Sequence, residues 1–479
     1  MKKLRDLLVG IKIKSIEGNT DKLVSGITDN SKDVKNDFLF FAIYGNKFDG
    51  HDFIDKAIKK GSNTIICTKL PKSLHEKITY ILVEDIRDSV YSISSNFYGN
   101  PESKIKIVAV TGTNGKTSIV YFLFQFFKSF NKKVGMISTI ENRINDKLLK
   151  AKLTTPNPIE FQKILNEMVL SNCEYCFMEA SSHAIHQKRI VGKNIFAAIF
   201  SNLSHDHLDY HKTFKNYIDA KKILFDELGK SSYSIVNLDD KRSRYLVQNT
   251  NSKVITYGLK NLADYNAKIL ESTAEGLKLR FDKVDISLRI IGDFNAYNIL
   301  AVYSLASILK FDENKILEKI SELNTPSGRF EFLVGKNNKI GIVDYAHTPD
   351  ALENILLNIL KFKRDKKLIT VVGAGGDRDK SKRPKMGNIA LEYSDFVFFT
   401  SDNPRNENEN DIIKDIIKGA TRTNFEIETD RKKAIKLAFK RFDKNSIILV
   451  AGKGHEKYQI IGNNSIPHDD KETIKQLIL

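Results

Sequence analysis

Residues 111–117, which spell Thr-Gly-Thr-Asn-Gly-Lys-Thr, most restrict what this chain can fold into. An apolar run precedes them at 105–110, and a helix-like apolar stretch follows at 119–130. A strand, a glycine turn and a helix start in that order are typical of a phosphate loop, because N–H groups and the helix dipole at a helix N-terminus favour anions. The pattern predicts Lys116 at the terminal phosphates of a nucleotide and Thr117 where Mg²⁺ binds.

Strand-like and helix-like segments alternate along most of the chain, which indicates parallel sheets with crossover helices. A β-rich excursion at 252–290 precedes a predicted helix at 295–309. The predicted strands are 37–43, 63–68, 79–83, 105–110, 133–138, 175–179, 197–202, 339–343, 368–372, 396–400 and 446–450.

The length of 479 residues predicts three domains at roughly 150 residues each. The turn-forming sequence Tyr-Gly-Asn-Pro at 98–101 suits a boundary, and a second α/β block follows Pro326. We predict an α/β fold of three domains: a small N-terminal α/β domain at 1–102, a central P-loop parallel-sheet ATPase domain at 103–325, and a C-terminal Rossmann-like α/β domain at 326–479.

Charge and cysteine content narrow the class of protein. The net charge is +17, but the lysines are scattered without a block of five or six, which favours solvated faces over a nucleic-acid stripe. Three cysteines argue for a reducing compartment, and the lone pair Cys173 and Cys176 lacks a second ligand pair for zinc. With no apolar run of about 18 residues, and with Lys12 and Lys14 interrupting any signal peptide, we predict a cytoplasmic protein without membrane insertion.

Two polar segments follow predicted strands of the central domain. Glu179 ends one strand, where a carboxylate beside the phosphate loop can hold a hard cation, although a helix-capping role is an alternative. The segment 205–211 contains three histidines and two aspartates. This concentration indicates metal binding or substrate positioning, while a surface role for any single member stays open.

Four polar turns follow strands of the third domain, at 343–349, 373–379, 402–405 and 452–456. Ligands of open α/β sheets bind in the crevice at the carboxyl ends of the strands, so these turns predict one binding crevice. Arg405 in it can pair a carboxylate through two hydrogen bonds, which lysine does less well.

Taken in order, these motifs resemble the Mur ligase family of ATP-dependent amide-forming enzymes, and within it the UDP-N-acetylmuramoyl-tripeptide synthetases. The resemblance runs from about residue 29 to 459. The phosphate loop marks a superfamily that includes folylpolyglutamate synthetases. His-Leu-Asp-Tyr-His at 207–211, Asp-Tyr-Ala-His-Thr-Pro-Asp at 344–350 and Gly-Gly-Asp-Arg-Asp-Lys at 375–380 point to the tripeptide synthetases.

The resemblance implies ATP as a co-substrate, Mg²⁺ as a cofactor, and catalytic roles for Lys116, Lys221 and His207. Lys221 matches the lysine that the family carbamylates, and a carbamate is an anion that supports Mg²⁺ binding. The implied ATP contacts are Gly112, Thr113, Asn114, Gly115, Lys116, Thr117, Asn295, Arg329 and Asp344. The implied metal ligands are Thr117, Glu179, His207 and Lys221 as its carbamate.

The resemblance also assigns a substrate to each outer domain: UDP to the N-terminal domain and an amino acid to the C-terminal one. One departure is Asn30-Ser31-Lys32, where the family usually has Asp-Ser-Arg. The residues implied for the UDP-sugar dipeptide are Ser31, His51, Thr154, Thr155, Ser182, Gln187 and Arg189. Those implied for the amino-acid acceptor are Arg383, Asp402, Asn403, Arg405, Gly452 and Glu456.

The implied reaction adds meso-diaminopimelate to UDP-N-acetylmuramoyl-L-alanyl-D-glutamate through an acyl phosphate, with a monomer whose third domain closes over the second. This step belongs to peptidoglycan synthesis, and thereby to cell-wall biogenesis, cell shape and cell division. The alternatives are an L-lysine-adding ligase, a folylpolyglutamate synthetase-like ligase and a nucleic-acid-binding P-loop protein. Arg405 argues against lysine, Ser31 and His51 against folate, and the scattered lysines against nucleic acid.

Overall fold

A computed structural model describes residues 1–45, 48–151, 153–335, 339–418, 420–442 and 445–478. They form three successive α/β units, each built around its own sheet. The predicted α/β class and three-part architecture are therefore confirmed. Among the described helices, none combines the length and the apolar character needed to cross a membrane.

The first unit holds a five-stranded sheet in the order β2-β7-β6-β5-β4, in which β4 to β7 are parallel. The last helix of this unit ends at Tyr98, and Gly99 caps it in the left-handed conformation with a φ of 77°. The strands are β1 (Lys2–Lys3), β2 (Ile13–Glu17), β3 (Leu23–Val24), β4 (Gly26–Thr28), β5 (Phe38–Phe41), β6 (Ser62–Cys67) and β7 (Thr79–Val83). The helices are α1 (Leu4–Leu7), α2 (Ile54–Lys59) and α3 (Ile86–Tyr98).

The second unit holds a nine-stranded sheet in the order β11-β10-β9-β12-β8-β13-β14-β15-β16 and a three-stranded sheet, β17-β18-β19. Its strands are β8 (Lys106–Thr111), β9 (Val134–Ile137), β10 (Asn142–Ile144), β11 (Lys147–Leu149), β12 (Tyr175–Glu179), β13 (Ala197–Phe200), β14 (Tyr233–Asn237), β15 (Lys253–Gly258), β16 (Tyr265–Asn266), β17 (Lys268–Ser272), β18 (Leu277–Phe281) and β19 (Val284–Leu288). Its helices are α4 (Lys116–Ser129), α5 (Pro158–Leu170), α6 (Ser182–His186), α7 (Leu208–His211), α8 (Phe214–Asp226), α9 (Ser243–Val247), α10 (Asp293–Ile308) and α11 (Glu313–Ser321).

The middle of the central strand β8 is apolar from Ile107 to Val110, between Lys106 and Thr111 at its ends. Val108 and Val110 enter one hydrophobic cluster, whereas Ile107 and Ala109 enter the cluster on the opposite face. A parallel strand covered on both faces is apolar at consecutive positions. The helix after it begins at Lys116, three residues earlier than predicted, because Gly115 already occupies its N-cap.

The third unit holds a six-stranded sheet in the order β20-β21-β25-β22-β23-β24 and a two-stranded hairpin. Its strands are β20 (Glu331–Val334), β21 (Ile340–Asp344), β22 (Lys367–Val372), β23 (Phe396–Phe399), β24 (Phe425–Ile427), β25 (Ser446–Ala451), β26 (Tyr458–Ile461) and β27 (Asn464–Pro467). Its helices are α12 (Pro349–Phe362), α13 (Arg383–Tyr393), α14 (Glu409–Ile417), α15 (Arg431–Arg441) and α16 (Asp470–Ile478). Because β21, β25, β22 and β23 are parallel neighbours, the four predicted polar turns lie side by side at one edge.

Candidate active site

The phosphate loop joins β8 to α4 and needs glycine at two positions. Gly112 and Gly115 have φ of 150° and 86°. A Cβ on Gly112 would lie 2.0 Å from Ser201 Oγ, and one on Gly115 would lie 2.6 Å from Asn298 Oδ1. The loop therefore folds tightly against the end of β13 and against α10.

Hydrogen bonds hold the loop in place from the segment after β13. Thr113 N–H donates to Asn202 O at 2.8 Å, and Asn114 N–H donates to Asn202 Oδ1 at 3.0 Å. Thr113 Oγ1 lies 3.0 Å from the hydroxyl of Tyr217 on α8. The loop is thus preorganised by the protein itself.

Two lysines converge on this loop, the half-buried Lys116 and the buried Lys221. Lys116 Nζ donates to Gly112 O at 2.9 Å and to Thr113 O at 2.7 Å, and Lys221 Nζ donates to the same Gly112 O at 2.9 Å. Burial lowers the pKa of both amines, and the charge of Lys116 lowers the pKa of Lys221 further. An anion bound beside these two amines would stabilise their protonated forms.

Glu179 closes the other side of the loop at the end of β12. Its Oε1 accepts from Thr117 Oγ1 at 2.9 Å and from Thr139 N–H at 2.7 Å. Arg329, from the segment before β20, donates through Nη2 to Thr117 Oγ1 at 3.1 Å. A hydroxyl, a carboxylate and a guanidinium from two units therefore meet at the phosphate loop.

The histidine-rich segment divides among three surroundings. His205 Nε2 lies 3.4 Å from Asp379 of the third unit, and His211 Nε2 lies 3.0 Å from Ser182 Oγ. His207, at φ 55°, precedes α7, and its Nε2 lies 3.4 Å from Asp206 Oδ2. Burial lowers the pKa of His207, and the Asp206 carboxylate opposes that shift. A neutral imidazole is able to donate a lone pair to a cation.

The side chains of Thr117 and Glu179 suit Mg²⁺ only together with further oxygen ligands. Within the ranges that the structure describes, no three His, Cys, Asp or Glu side chains are grouped to hold a metal ion. Mg²⁺ usually takes one or two carboxylates plus substrate phosphates and water, so Thr117 and Glu179 beside a phosphate loop fit it. The assignments of His207 and of carbamylated Lys221 stay predictions.

All three cysteines are free and buried. Cys176 lies within β12, and burial raises the pKa of its thiol. Cys173 Sγ lies 3.6 Å from Asn145 Oδ1, and burial raises its pKa to about 11. These thiols belong to the core.

Four of the five central-domain residues assigned to the sugar peptide share one polar network. Arg189 donates to Thr155 O at 3.1 Å and to Gln187 Oε1 at 2.6 Å. Gln187 Nε2 in turn donates to the hydroxyl of Tyr210 at 3.0 Å. Thr154 Oγ1 accepts from Thr139 Oγ1 at 3.1 Å, next to the Glu179 contact. Ser182, the fifth, adjoins the network through its histidine partner.

In the first unit, Ser31 follows β4, and His51 contacts Thr68, which follows β6. Because β4, β5 and β6 are parallel neighbours, both residues lie toward the same edge of the sheet. His51 Nε2 accepts from Thr68 N–H at 3.2 Å, and its Nδ1 lies 2.6 Å from Asp49 Oδ1. Acceptance at Nε2 places the proton on Nδ1, which fixes the orientation of the ring.

The departure at Asn30 and Lys32 preserves the turn that carries Ser31. Asn30 Oδ1 accepts from Lys32 N–H at 3.0 Å, and its amide donates to Asp33 at 2.9 Å. Aspartate and asparagine close this kind of turn equally well. The backbone around Ser31 therefore does not depend on the substituted aspartate.

The other residues assigned to the nucleotide are buried near the junction of the second and third units. Asn295 Nδ2 donates to Ile291 O, and Asn298 Nδ2 donates to Asn295 Oδ1, both at 2.8 Å. Asp344 accepts two backbone N–H groups at 2.6 Å, and burial raises its pKa to about 6. The Arg329 guanidinium lies 4.3 Å above the ring of Tyr345.

The crevice that the resemblance assigns to the amino-acid acceptor lies at the ends of β23 and β25, and it is called the acceptor crevice below. A Cβ on Gly452 would lie 2.5 Å from Asp402 Oδ2, so only glycine fits there. Asn403 Nδ2 donates to Glu456 Oε2 at 2.9 Å. The buried Lys453 donates to both of these side chains.

The two arginines assigned to the acceptor differ in their surroundings. Arg405 Nη1 donates to Gly376 O at 2.7 Å, and its other guanidinium nitrogens have no hydrogen-bond acceptor among the residues that the structure describes. Arg383 is 1% exposed, and its guanidinium is paired with Glu407 and Asp415 at 2.8 to 3.0 Å. Arg383 therefore acts as an anchor inside its own unit, and direct contact with an acceptor stays a prediction for it.

Three residues in or next to the candidate site were not predicted from the sequence. Asn298 stands three residues after Asn295 on α10, a spacing that places both on one helix face and was a usable signal. Tyr210 lies inside the histidine segment, but nothing local indicates its bond to Gln187. Lys453 lies within a recognised motif, yet its burial depends on distant segments.

Direct bonds join the units around this site. Asn114 Nδ2 donates to Asp350 Oδ2 at 3.0 Å, from the phosphate loop to α12. Lys188 binds Asp85 and Asp88 of the first unit at 3.0 and 2.7 Å. The phosphate loop, the sugar-peptide network and the acceptor crevice are thus parts of one connected assembly.

Comparison with known proteins gives consistent matches along the chain. Residues 23–102 match the model of the Mur ligase family catalytic domain, 110–306 the Mur ligase middle domain, and 328–454 the Mur ligase glutamate ligase domain. The UDP-N-acetylmuramoyl-L-alanyl-D-glutamate–2,6-diaminopimelate ligases of Cytophaga hutchinsonii and Bacteroides fragilis are 45% and 46% identical, over 99% of each chain. A solved structure of a ligase of that name is 28% identical, with a TM-score of 0.68 over 100% of this chain and 98% of the other.

Proposed function

The chain belongs to the Mur ligase family, and from this premise we propose that it joins meso-diaminopimelate to UDP-N-acetylmuramoyl-L-alanyl-D-glutamate at the expense of ATP. One observation carries the proposal. Arg329 and Asp350 of the unit that bears the acceptor crevice both bond to the phosphate loop. An activated carboxyl group formed at that loop would therefore face an amine held in the crevice.

The first chemical step uses the phosphate loop. The γ-carboxylate of the D-glutamyl residue attacks the γ-phosphorus of ATP, the bond to the β-phosphate oxygen breaks, and an acyl phosphate and ADP result. The backbone N–H groups at the N-terminus of α4 would bind phosphate oxygens, and Lys116 would exchange its two carbonyl partners for them. Acceleration comes from positioning and from charge that is already in place.

Thr117 would hold one Mg²⁺, and Glu179 with His207 would hold a second, whose binding the carbamate of Lys221 would support. When bound, these ions supply positive charge beside the phosphate oxygens. Carbamylation forms a bond between Lys221 Nζ and the carbon of CO₂ with loss of a proton from nitrogen, so it needs the neutral amine. The lowered pKa of Lys221 supports that neutral form, and the product removes the conflict between two neighbouring ammonium groups.

The second step uses the acceptor crevice. The amine of the acceptor, after losing a proton, attacks the acyl carbon, and phosphate leaves from a tetrahedral intermediate to give the amide. Arg405 would pair the distal carboxylate of diaminopimelate, a group that lysine lacks. Asn403 and Glu456 would contact the ammonium and carboxylate groups of that same end.

We further propose domain limits at 1–102, 103–325 and 326–479. Every strand of each large sheet falls within one of these ranges, which supports them. The N-terminal domain would bind UDP through Ser31 and His51. We also propose that the protein is a monomer and that it is cytoplasmic. The cytoplasm suits both a UDP-linked precursor and free thiols.

The test is ATP-dependent phosphate release with UDP-N-acetylmuramoyl-L-alanyl-D-glutamate, Mg²⁺ and bicarbonate. The arms contain meso-diaminopimelate, L-lysine or no amino acid. We expect release only with diaminopimelate and a product whose mass equals that of the tripeptide. Preference for lysine would overturn the acceptor assignment, and absence of turnover in folded protein would overturn the proposed reaction.

A further inference from the structure

Lys453 is a fully buried lysine directly after β25, and the proposed steps assign it no role. Its ammonium donates to Asn403 Oδ1 and to Glu456 Oε2, both at 2.9 Å. Asn403 Nδ2 donates to the same Glu456 oxygen at 2.9 Å. The three side chains close a ring of hydrogen bonds in the acceptor crevice.

This ring fixes the orientation of the Asn403 amide. Asn403 Oδ1 accepts from Ile460 N–H at 2.9 Å as well as from Lys453. If the amide flipped, both donors would face an NH₂ group instead of an oxygen, which costs two hydrogen bonds. The NH₂ group therefore stays toward Glu456 and keeps its second N–H for another partner.

The ring also fixes which oxygen of Glu456 is available. Oε2 accepts from both Asn403 and Lys453, whereas Oε1 accepts from no donor in the part of the chain that the structure describes. The Glu456 side chain is 15% exposed. The crevice thus presents one N–H and one carboxylate oxygen next to each other.

The charge balance of the ring determines which kind of acceptor end the free N–H of Asn403 and the free oxygen of Glu456 bind better. The ammonium of Lys453 offsets the carboxylate of Glu456, so the ring presents a donor and an acceptor without net charge. An α-amino-acid end carries both a carboxylate and an ammonium and matches this pair. The far end of L-lysine carries an ammonium alone, which an uncompensated carboxylate would bind better.

We propose that Lys453 is a positioning residue that makes the acceptor crevice selective for a zwitterionic far end over a lone ammonium. This inference rests on the proposed function and extends it to the origin of acceptor selectivity. Lys453 acts through Asn403 and Glu456 and does not itself contact the acceptor.

The test compares the full-length wild type with Lys453→Met, using phosphate release with meso-diaminopimelate and with L-lysine. We expect KM for diaminopimelate to rise at least about tenfold while kcat changes by less than about threefold, because the ring acts in binding. The ratio of kcat/KM for diaminopimelate over lysine should fall at least about tenfold, and KM for ATP should stay within about twofold. Lys363→Met is the matched control: Lys363 binds Asp395 at 3.2 Å in the same unit, so its loss should leave the ratio unchanged.

An unchanged acceptor ratio in folded Lys453→Met would overturn the inference. If that variant does not fold, Lys453→Gln retains a donor and removes the charge. It should show a smaller rise in KM but a similar fall in the ratio, and an unchanged ratio would again overturn the inference. A wild type without diaminopimelate-dependent release would instead count against the proposed function, so the two failures are distinguishable.

Discussion

At the residue scale, burial gives ordinary side chains unusual properties. Lys221 is 1% exposed and shares the carbonyl of Gly112 with Lys116. Protonation of both amines at the same time is therefore unfavourable in the folded chain. Desolvation disfavours the charged form of each amine. The chemistry expected of Lys221 thus follows from its place beneath the phosphate loop.

Lys221→Met should flatten the pH dependence of the free energy of unfolding in CO₂-free buffer. The pKa of Lys221 lies well below 10.5 in the folded chain, so between those values the unfolded state binds a proton that the folded state lacks. Stability therefore rises with pH in that window, by up to about 1.4 kcal/mol per pH unit for one proton. Urea unfolding from pH 7 to 9 measures the slope in both proteins. Lys222→Met, which removes a partner of Asp226, is the control and should keep the wild-type slope.

Arg405→Ala should lower kcat/KM for meso-diaminopimelate, because a desolvated carboxylate loses its partner. The loss corresponds to roughly 2–5 kcal/mol of transition-state stabilisation. Release supported by L-lysine should change much less. Steady-state phosphate release with each amino acid measures both effects. Arg422→Ala is a suitable control, because among the described residues the Arg422 side chain donates only to backbone carbonyls of α13, at 3.2 Å. Unchanged kinetics with Arg405→Ala would remove Arg405 from the site.

At the element scale, turns at strand ends place the functional groups. The strands at Thr79–Val83 and Tyr175–Glu179 were predicted with their observed bounds, because apolar β-branched or aromatic runs end there in polar residues. Tyr233–Asn237 was missed because Ser234 and Asn237 interrupt its apolar residues, and Phe425–Ile427 because three residues give little periodic signal. A strand was thus predictable where its run of apolar residues was continuous.

Gly112→Ala should prevent the phosphate loop from closing. A Cβ there would lie 2.0 Å from Ser201 Oγ at a φ of 150°, so loop and neighbour must both move. We expect KM for ATP to rise at least about tenfold and stability to fall by about 1–3 kcal/mol. ATP titration and urea unfolding measure these effects. Gly10 also has a positive φ, of 77°, but open space around it, so Gly10→Ala should cost about 1 kcal/mol and spare ATP binding.

At the scale of the whole molecule, docking of the third unit completes the site. Asp350 at the start of α12 accepts from Asn114, and Arg329 reaches Thr117. The residues of each pair are 236 and 212 positions apart in the chain. These bonds form only while the two units face each other, so nucleotide contacts and domain arrangement depend on one another.

Asp350→Ala should loosen this docking. A hydrogen bond to a carboxylate contributes about 1.5–3 kcal/mol, so its loss should populate a more open arrangement. We expect a larger radius of gyration by small-angle X-ray scattering and a raised KM for ATP. Glu353→Ala on the same helix removes a bond to Tyr393 inside the third unit and should leave the scattering unchanged. Identical scattering of Asp350→Ala and wild type would contradict a role in docking.

The sequence by itself determined the three α/β units, the phosphate loop and the family, because strand periodicity, glycine turns and polar residues at strand ends are local properties. Only the tertiary structure decided that Lys221 shares a carbonyl with Lys116, that Arg383 is held by Glu407 and Asp415, and that Lys453 is buried. Burial and partner choice depend on which distant segments pack together, and no window of sequence contains that information.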